Sequence, residues 1–258
     1  MNEAELLFTQ ALGCDRMSLY LDKDRYLNRD EVNFISSALK RRLKAEPLQY
    51  ILGKTEFMGL EFKVNTAVLI PRPETEILVT TALGYVKQRK SGRVLDLGTG
   101  SGCIAVALAK YTTGLEIDAS DISARALATA GENAAAHGVK INLIRSDLFS
   151  ALGSKKYAMI VSNPPYIMST EISKLQPELN YEPALALDGG ADGLDFYRRV
   201  IREAPGYLKK GGWLLLEIGF GQKRGLEKIF LGSGRFEIAG IIKDYNNIAR
   251  VLAARKVN

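Results

Sequence analysis

Val94-Leu95-Asp96-Leu97-Gly98-Thr99-Gly100-Ser101-Gly102-Cys103-Ile104 decides the fold. The apolar residues before Gly98 suit a buried strand, the alternate glycines a tight turn, and the residues from Ser101 onward the opening of a helix. Strand, turn and helix in that order begin a βαβ unit. The alternation continues downstream, with strand signals at 93–97, 115–120, 141–144 and 157–162 and a further helix from Ala124. A helix over 196–208 precedes the run Trp213-Leu214-Leu215-Leu216-Glu217-Ile218, and the tail pairs 236–242 with 248–253 across Asp244-Tyr245-Asn246-Asn247. The pattern predicts an α/β domain: a parallel sheet with helices on both faces, closed by an antiparallel C-terminal hairpin.

Upstream, residues 1–50 read as a small all-helical module. Leu6, Leu7 and Leu12 mark one helix; Val32, Ile35, Leu39 and Leu43 recur at helical spacing in a later one, with cap oxygens at Asn28 and Asp30 and Pro47 beyond its end. Residues 51–73 form a linker in which 55–58 and 60–64 make a short hairpin at Gly59, and Ile70-Pro71-Arg72-Pro73 is extended because each proline restricts the residue before it. From Glu74 a helix carrying Ile77, Leu78 and Leu83 leads into the main domain, 74–258.

The 258 residues are 47% hydrophobic, enough for a sizeable core, and the net charge of +6 is mild and spread over both halves. Lys40-Arg41-Arg42-Leu43-Lys44 is the densest basic run and reads as the solvated C-terminal turn of a helix, where the dipole favours cations. The first residues carry acids where a signal peptide has a basic leader, and no apolar run reaches membrane-spanning length, so a cytoplasmic protein with no membrane partner is expected. Cys14 and Cys103 lack any CxxC spacing and His137 is the sole histidine. Neither a disulfide framework nor a metal site is signalled, and His137, Cys103 and Trp213 are expected to be structural.

Glycine turns let a backbone approach a ligand closely, and a helix N-terminus offers unpaired N–H groups to an anion. Asp121 ends the next strand, where a carboxylate accepts hydrogen bonds from two ribose hydroxyls. An NAD-binding domain shares these features. Spacing separates the two: glycines at 98, 100 and 102 do not fit GxGxxG, and Asp96 precedes the first glycine, where it suits an ammonium group better than a pyrophosphate. S-adenosylmethionine is the ligand these residues favour, with Asp96, Gly98, Thr99, Gly100, Ser101, Gly102 and Asp121 as its binding residues.

Asn163-Pro164-Pro165-Tyr166 follows the strand at 157–162. Two prolines fix φ and remove N–H donors, so the chain leaves the sheet there as a rigid corner of acceptors. Asn163 offers a carbonyl oxygen, the proline carbonyls are free, and Tyr166 supplies a flat face with a polar tip. Such a corner fits a planar NH2 group, on an amide or on a nucleobase flipped from its stack. A noncatalytic cofactor-binding protein would have no need of it.

The glycine segment resembles the first motif of class I S-adenosylmethionine-dependent methyltransferases, and the tetrapeptide resembles the fourth motif of those acting on amino groups. Leu48-Gln49-Tyr50-Ile51-Leu52-Gly53, Leu69-Ile70-Pro71-Arg72-Pro73-Glu74-Thr75-Glu76, Tyr181-Glu182-Pro183-Ala184-Leu185-Ala186-Leu187 and Gly189-Gly190-Ala191-Asp192-Gly193-Leu194-Asp195 resemble the PrmC/HemK family over nearly the whole chain. The resemblance implies a seven-stranded methyltransferase sheet and methylation of the glutamine N5 in the Gly-Gly-Gln loop of class I peptide chain release factors, with residues 1–50 binding the substrate; a monomer is expected, and without a basic arm or a recognised RNA-binding module no direct nucleic-acid partner is expected. Asn163, Pro164, Pro165 and Tyr166 would be catalytic and substrate-binding, with Asn163 also at the cofactor. Asp147 and Leu148 fall where the family contacts adenine, although Leu148 replaces an aromatic ring found in other members. The stretch 182–195 is expected to lie beside the site.

Overall fold

The computed structural model describes residues 2–22, 24–86 and 92–257. Met1 and Asn258, the outer ends of the expected domains, therefore lie outside the described residues. Four helices open the chain: α1 (Glu3–Leu12), α2 (Arg16–Leu21), α3 (Arg29–Arg42) and α4 (Leu48–Leu52). Asn2 and Asn28 each close a capping box, with Glu5 and Glu31 reaching back to the cap N–H. Leu7, Ile35, Ala38, Leu48 and Ile51 form this module's small core. Within α3 the helix is as expected but its inner face is Ile35 and Ala38. Val32, Leu39 and Leu43 are exposed, because α1 and α4 cover only one narrow side of α3.

A hairpin, β1 (Lys54–Phe57) and β2 (Leu60–Lys63), follows, and then α5 (Pro73–Val86). Asn133 docks the hairpin: its side chain accepts from Lys63 N–H at 2.8 Å and donates to the Lys63 and Ser101 carbonyls at 3.0 and 2.8 Å. His137 serves the same join, its Nε2 lying 2.7 Å from the Glu61 carbonyl.

The main domain runs β3 (Gly92–Leu97), α6 (Cys103–Tyr111), β4 (Leu115–Asp121), α7 (Ala124–Ala136), β5 (Asn142–Arg145), β6 (Tyr157–Ser162), α8 (Ser169–Ile172), α9 (Asp195–Glu203), β7 (Leu208–Glu217), α10 (Lys223–Ser233), β8 (Phe236–Lys243) and β9 (Ala249–Lys256). Its seven strands lie in the order β5-β4-β3-β6-β7-β9-β8, parallel except where β9 runs antiparallel between β7 and β8. One core on the α5, α6 and α7 face holds Leu78, Val79 and Val106; the other, under α9 and α10, holds Tyr197, Leu226 and Phe230. Two of the shifted boundaries have a clear local cause. Helix α6 begins two residues later than expected, because Gly102 caps it in the left-handed conformation. Helix α9 stops at Glu203, where a 3-10 turn with Pro205 breaks it and frees Leu208 to start β7.

Strand order reverses between β3 and β6. Open α/β sheets bind ligands at that crevice, outside the carboxyl ends of the strands. The glycine turn leaves β3 there and the tetrapeptide leaves β6 there.

Candidate active site

The glycine turn is held from behind. Gly98 and Thr99 donate N–H bonds to the Ser120 carbonyl at 2.8 and 2.9 Å, which closes the turn on β4. Gly102 has φ +81°, and a Cβ there would lie 2.9 Å from Ala130 Cβ, so only glycine lets α6 sit this close to α7. Asp96 is fully buried and does not line the cleft. Its Oδ2 accepts from the Thr99 hydroxyl at 2.6 Å and the Ala105 N–H at 3.1 Å, while Oδ1 has no partner among the described residues. Burial pushes this carboxyl up to about 7, against the pull of those two donors. Asp121 accepts from Gly100 N–H and Ser123 N–H, both at 2.9 Å, and stays partly exposed at the cleft wall.

Around the cleft stand Gly98, Thr99, Gly100, Ser101, Asp121, Asp147, Leu148, Asn163, Pro164 and Pro165. Of the residues singled out for cofactor binding, Gly102 and Asp96 alone stand behind the wall, bracing it. Asp147 points its carboxylate at Arg199, 2.9 and 3.0 Å from Nη2. Leu148 adopts φ +48°, which turns its side chain into the α9 core while it still lines the cleft. Phe196, expected only as the start of a helix, lines the same wall.

Tyr166 does not line this cleft. It faces a second groove, bounded by Arg42, Leu48 and Gln49 of the helical module and by Glu178, Leu179 and Glu182. The two hollows share Leu69, Arg72, Asn163, Pro164 and Ala186, so they meet at the corner itself. Gln222 Nε2 pins the corner by donating to the Tyr166 and Gly193 carbonyls at 2.8 and 3.0 Å. Burial raises the Tyr166 phenol to about 12, keeping it neutral.

The Asn163 amide donates from Nδ2 to Thr75 Oγ1 at 3.0 Å, and its oxygen has no protein partner among the described residues. Thr75 donates in turn to Glu217 Oε2 at 2.7 Å. Sequence reasoning passed over both partners. Thr75 lies within the quoted motif at 69–76, and Glu217 is an acid directly after the apolar run at 213–216, a pattern that signals a buried polar group with a task.

The stretch 182–195 does flank the site. Glu182 is buried, and Arg72 Nη2 reaches both its carboxylate oxygens at 2.6 Å. Just before it in the chain, Tyr181 donates to the Lys44 carbonyl at 2.9 Å and Arg42 donates to Glu178 at 3.1 Å, tying residues 178–181 to the helical module.

A seven-stranded sheet of this order, with both motifs at its switch point, is the class I methyltransferase fold. A family model described as methyltransferase small domain matches residues 74–178, and one described as PrmC N-terminal domain matches 1–53. The release factor glutamine methyltransferase of Geobacter sulfurreducens is 46% identical over 98% of this chain and 88% of its own length, and that of Thermodesulfovibrio yellowstonii 43% over 99% and 92%. This chain belongs to that family of release factor glutamine methyltransferases. Among solved structures, a Pyrococcus furiosus methyltransferase superposes with a TM-score of 0.58 at 16% identity, covering 86% of this chain and 100% of its own, and so shares the fold.

Proposed function

We propose that this chain transfers a methyl group from S-adenosylmethionine to N5 of the glutamine in the Gly-Gly-Gln loop of class I release factors, as a cytoplasmic monomer with no nucleic-acid or membrane partner. The names of its relatives support the substrate. The observation that carries the reading is the meeting of two hollows at Asn163 and Pro164, one for a donor and one for a side chain entering from the helical module.

The cleft's residues fit the cofactor. Asp96, behind the turn, accepts from Thr99 and Ala105 and so braces the glycine backbone against which an ammonium group would lie. Gly98, Thr99, Gly100 and Ser101 offer close backbone approach, and Asp121 keeps a lone pair on each oxygen for hydroxyl donors. Ile122, Leu148 and Phe196 offer apolar surface for a purine. When bound, S-adenosylmethionine supplies a methyl carried on a sulfonium sulfur.

An amide nitrogen is a weak nucleophile because its lone pair is conjugated with the carbonyl. The corner compensates by orientation: Asn163 Oδ1 and the Pro164 carbonyl accept the two amide N–H bonds, fixing the nitrogen and meeting its developing positive charge with oriented dipoles. Tyr166 packs on the amide plane. The surplus proton on nitrogen leaves to water. Residues 1–50 bind the body of the release factor.

Labelled methyl transfer to purified release factor, to a variant lacking the loop glutamine, and to DNA and RNA tests this. A single methyl on that glutamine is expected; transfer to nucleic acid but not to the factor would overturn the reading.

A further inference from the structure

The Asn163 carboxamide is nearly symmetric in shape but opposite in polarity at its two ends. With oxygen toward the groove it receives an NH2 group, and with nitrogen there it repels one. Something must decide which end faces out. Two side chains lie in series behind Asn163, itself just after β6: Thr75 in the first turn of α5, and Glu217 at the end of β7. Thr75 and Glu217 are both 2% exposed, so water cannot substitute for either partner. Glu217 is itself fixed, because Tyr197 donates to its backbone carbonyl at 2.8 Å.

We propose that Glu217 and Thr75 are positioning residues that set the polarity of the Asn163 amide, obliging it to turn its oxygen to the groove. The logic is donor counting and rests on the proposed role of Asn163 as acceptor. An ionised carboxylate only accepts, so the one hydroxyl proton of Thr75 is committed to Glu217 at 2.7 Å. Thr75 Oγ1 then has only lone pairs to offer Asn163. A lone pair facing the amide oxygen is repulsive, so Nδ2 turns inward and Oδ1 outward. Protonation of Glu217 reverses the series. The carboxyl then donates to Thr75, whose proton is released toward Asn163 and draws its oxygen inward.

Glu217 is facing groups of both signs: Glu74 from α5, Arg72 from the linker, Arg250 from β9, Tyr166 from the corner, Tyr197 from α9 and Cys103 from α6. Burial, with Glu74, outweighs the Thr75 hydrogen bond and the two arginines and raises its carboxyl to about 7. The oxygen-out arrangement therefore belongs to the ionised form, and turnover should rise with pH across neutrality.

Thr75→Val keeps the shape and deletes the hydroxyl. On release factor its kcat should fall roughly ten- to a hundred-fold, the scale of a misoriented positioning group, with cofactor Kd changed less than about threefold. Thr75→Ser should restore most of the rate. In Glu217→Gln the acid limb of the wild-type kcat profile should vanish. A second measurement needs no substrate: the 15N-labelled side-chain amide of Asn163, assigned with Asn163→Asp, should shift with pH through a midpoint near that of Glu217 in the wild type and stay flat in Glu217→Gln. Wild-type kcat in Thr75→Val, or an amide resonance that titrates alike with and without the carboxylate, would overturn the relay. Absence of methyl transfer by the wild type would instead count against the substrate, and the amide titration would still decide the relay.

Discussion

Removing the Arg72 guanidinium strands a carboxylate in a dry place. The Glu182 side chain is 1% exposed while that of Arg72 is 32% exposed, so the two halves of this pair are not equivalent. In Arg72→Ala, Glu182 keeps only the Ile70 N–H named among its donors and loses its counter-charge. Breaking a buried pair from one side costs about 3–5 kcal/mol; the partial exposure of Arg72 argues for the lower end, about 3 kcal/mol. For a chain of this size that corresponds to a fall in Tm of roughly 6–12 °C. Glu182→Gln removes the charge but leaves Arg72 a path to water, so about 1–2 kcal/mol is expected. The double variant holds no orphan charge and should be more stable than Arg72→Ala alone. Burial already raises the Glu182 carboxyl above its ordinary value of 4.5, ahead of the opposing pull of Arg72, and loss of Arg72 raises it further. Between the unfolded and folded values the native state then binds more protons than the unfolded chain, so stability falls as pH rises. The Arg72→Ala deficit should therefore be smaller at pH 5 than at pH 8. Urea and thermal melts of the four proteins at both pH values measure this. Additive single effects, or an Arg72→Ala deficit independent of pH, would refute the reasoning.

Asn163→Ala should lower kcat by at least tens-fold, the scale of a lost oriented dipole, with cofactor Kd nearly unchanged by titration calorimetry. Gly102→Ala forces a side chain to φ +81° against Ala130, and a loss of about 2–3 kcal/mol together with weaker cofactor binding is expected from melts and calorimetry. Lys155→Met removes the ammonium 2.9 Å from buried Asp118 Oδ2, leaving bonds from Asn142 and Tyr157. Those partners together lower the Asp118 carboxyl below its ordinary 3.8 despite burial, so its stabilisation exists above that value and fades as pH falls through the lowered one. The Lys155→Met deficit, about 1–3 kcal/mol, should be full at pH 7 and shrink in acid melts.

The architecture of the main domain was legible because strand and helix periods differ, and because Gly98 to Gly102 and Asn163 to Tyr166 mark where the chain must leave the sheet. Insertion of β9 between β7 and β8 was legible only as a hairpin, since a hairpin signal states pairing and not which neighbour the second strand also takes. Helix α3 was found from its period, yet Val32 and Leu39 misled about its inner face because a four-helix module has too few neighbours to cover every apolar residue. Within the site, residues that touch the hollows were readable from motifs. Those acting one layer back were not: Thr75 and Glu217 stand 142 positions apart in sequence, and no spacing rule joins them. Asp96 shows the converse, an acid whose place before the glycines suggests direct contact but whose side chain stands behind the turn.

The groove wall from Glu178 to Glu182 lies in the main domain's stretch of sequence yet is bonded to the helical module as well. It is fastened by Arg42 and Lys44 on one side and by Arg72 on the other. Grafting a relative's first fifty residues onto this chain would therefore leave a hybrid seam: foreign helices against a native wall cut to other helices. A working chimera has to carry residues 178–182 along with the graft, and the junction that looks natural on a domain map is the wrong place to cut.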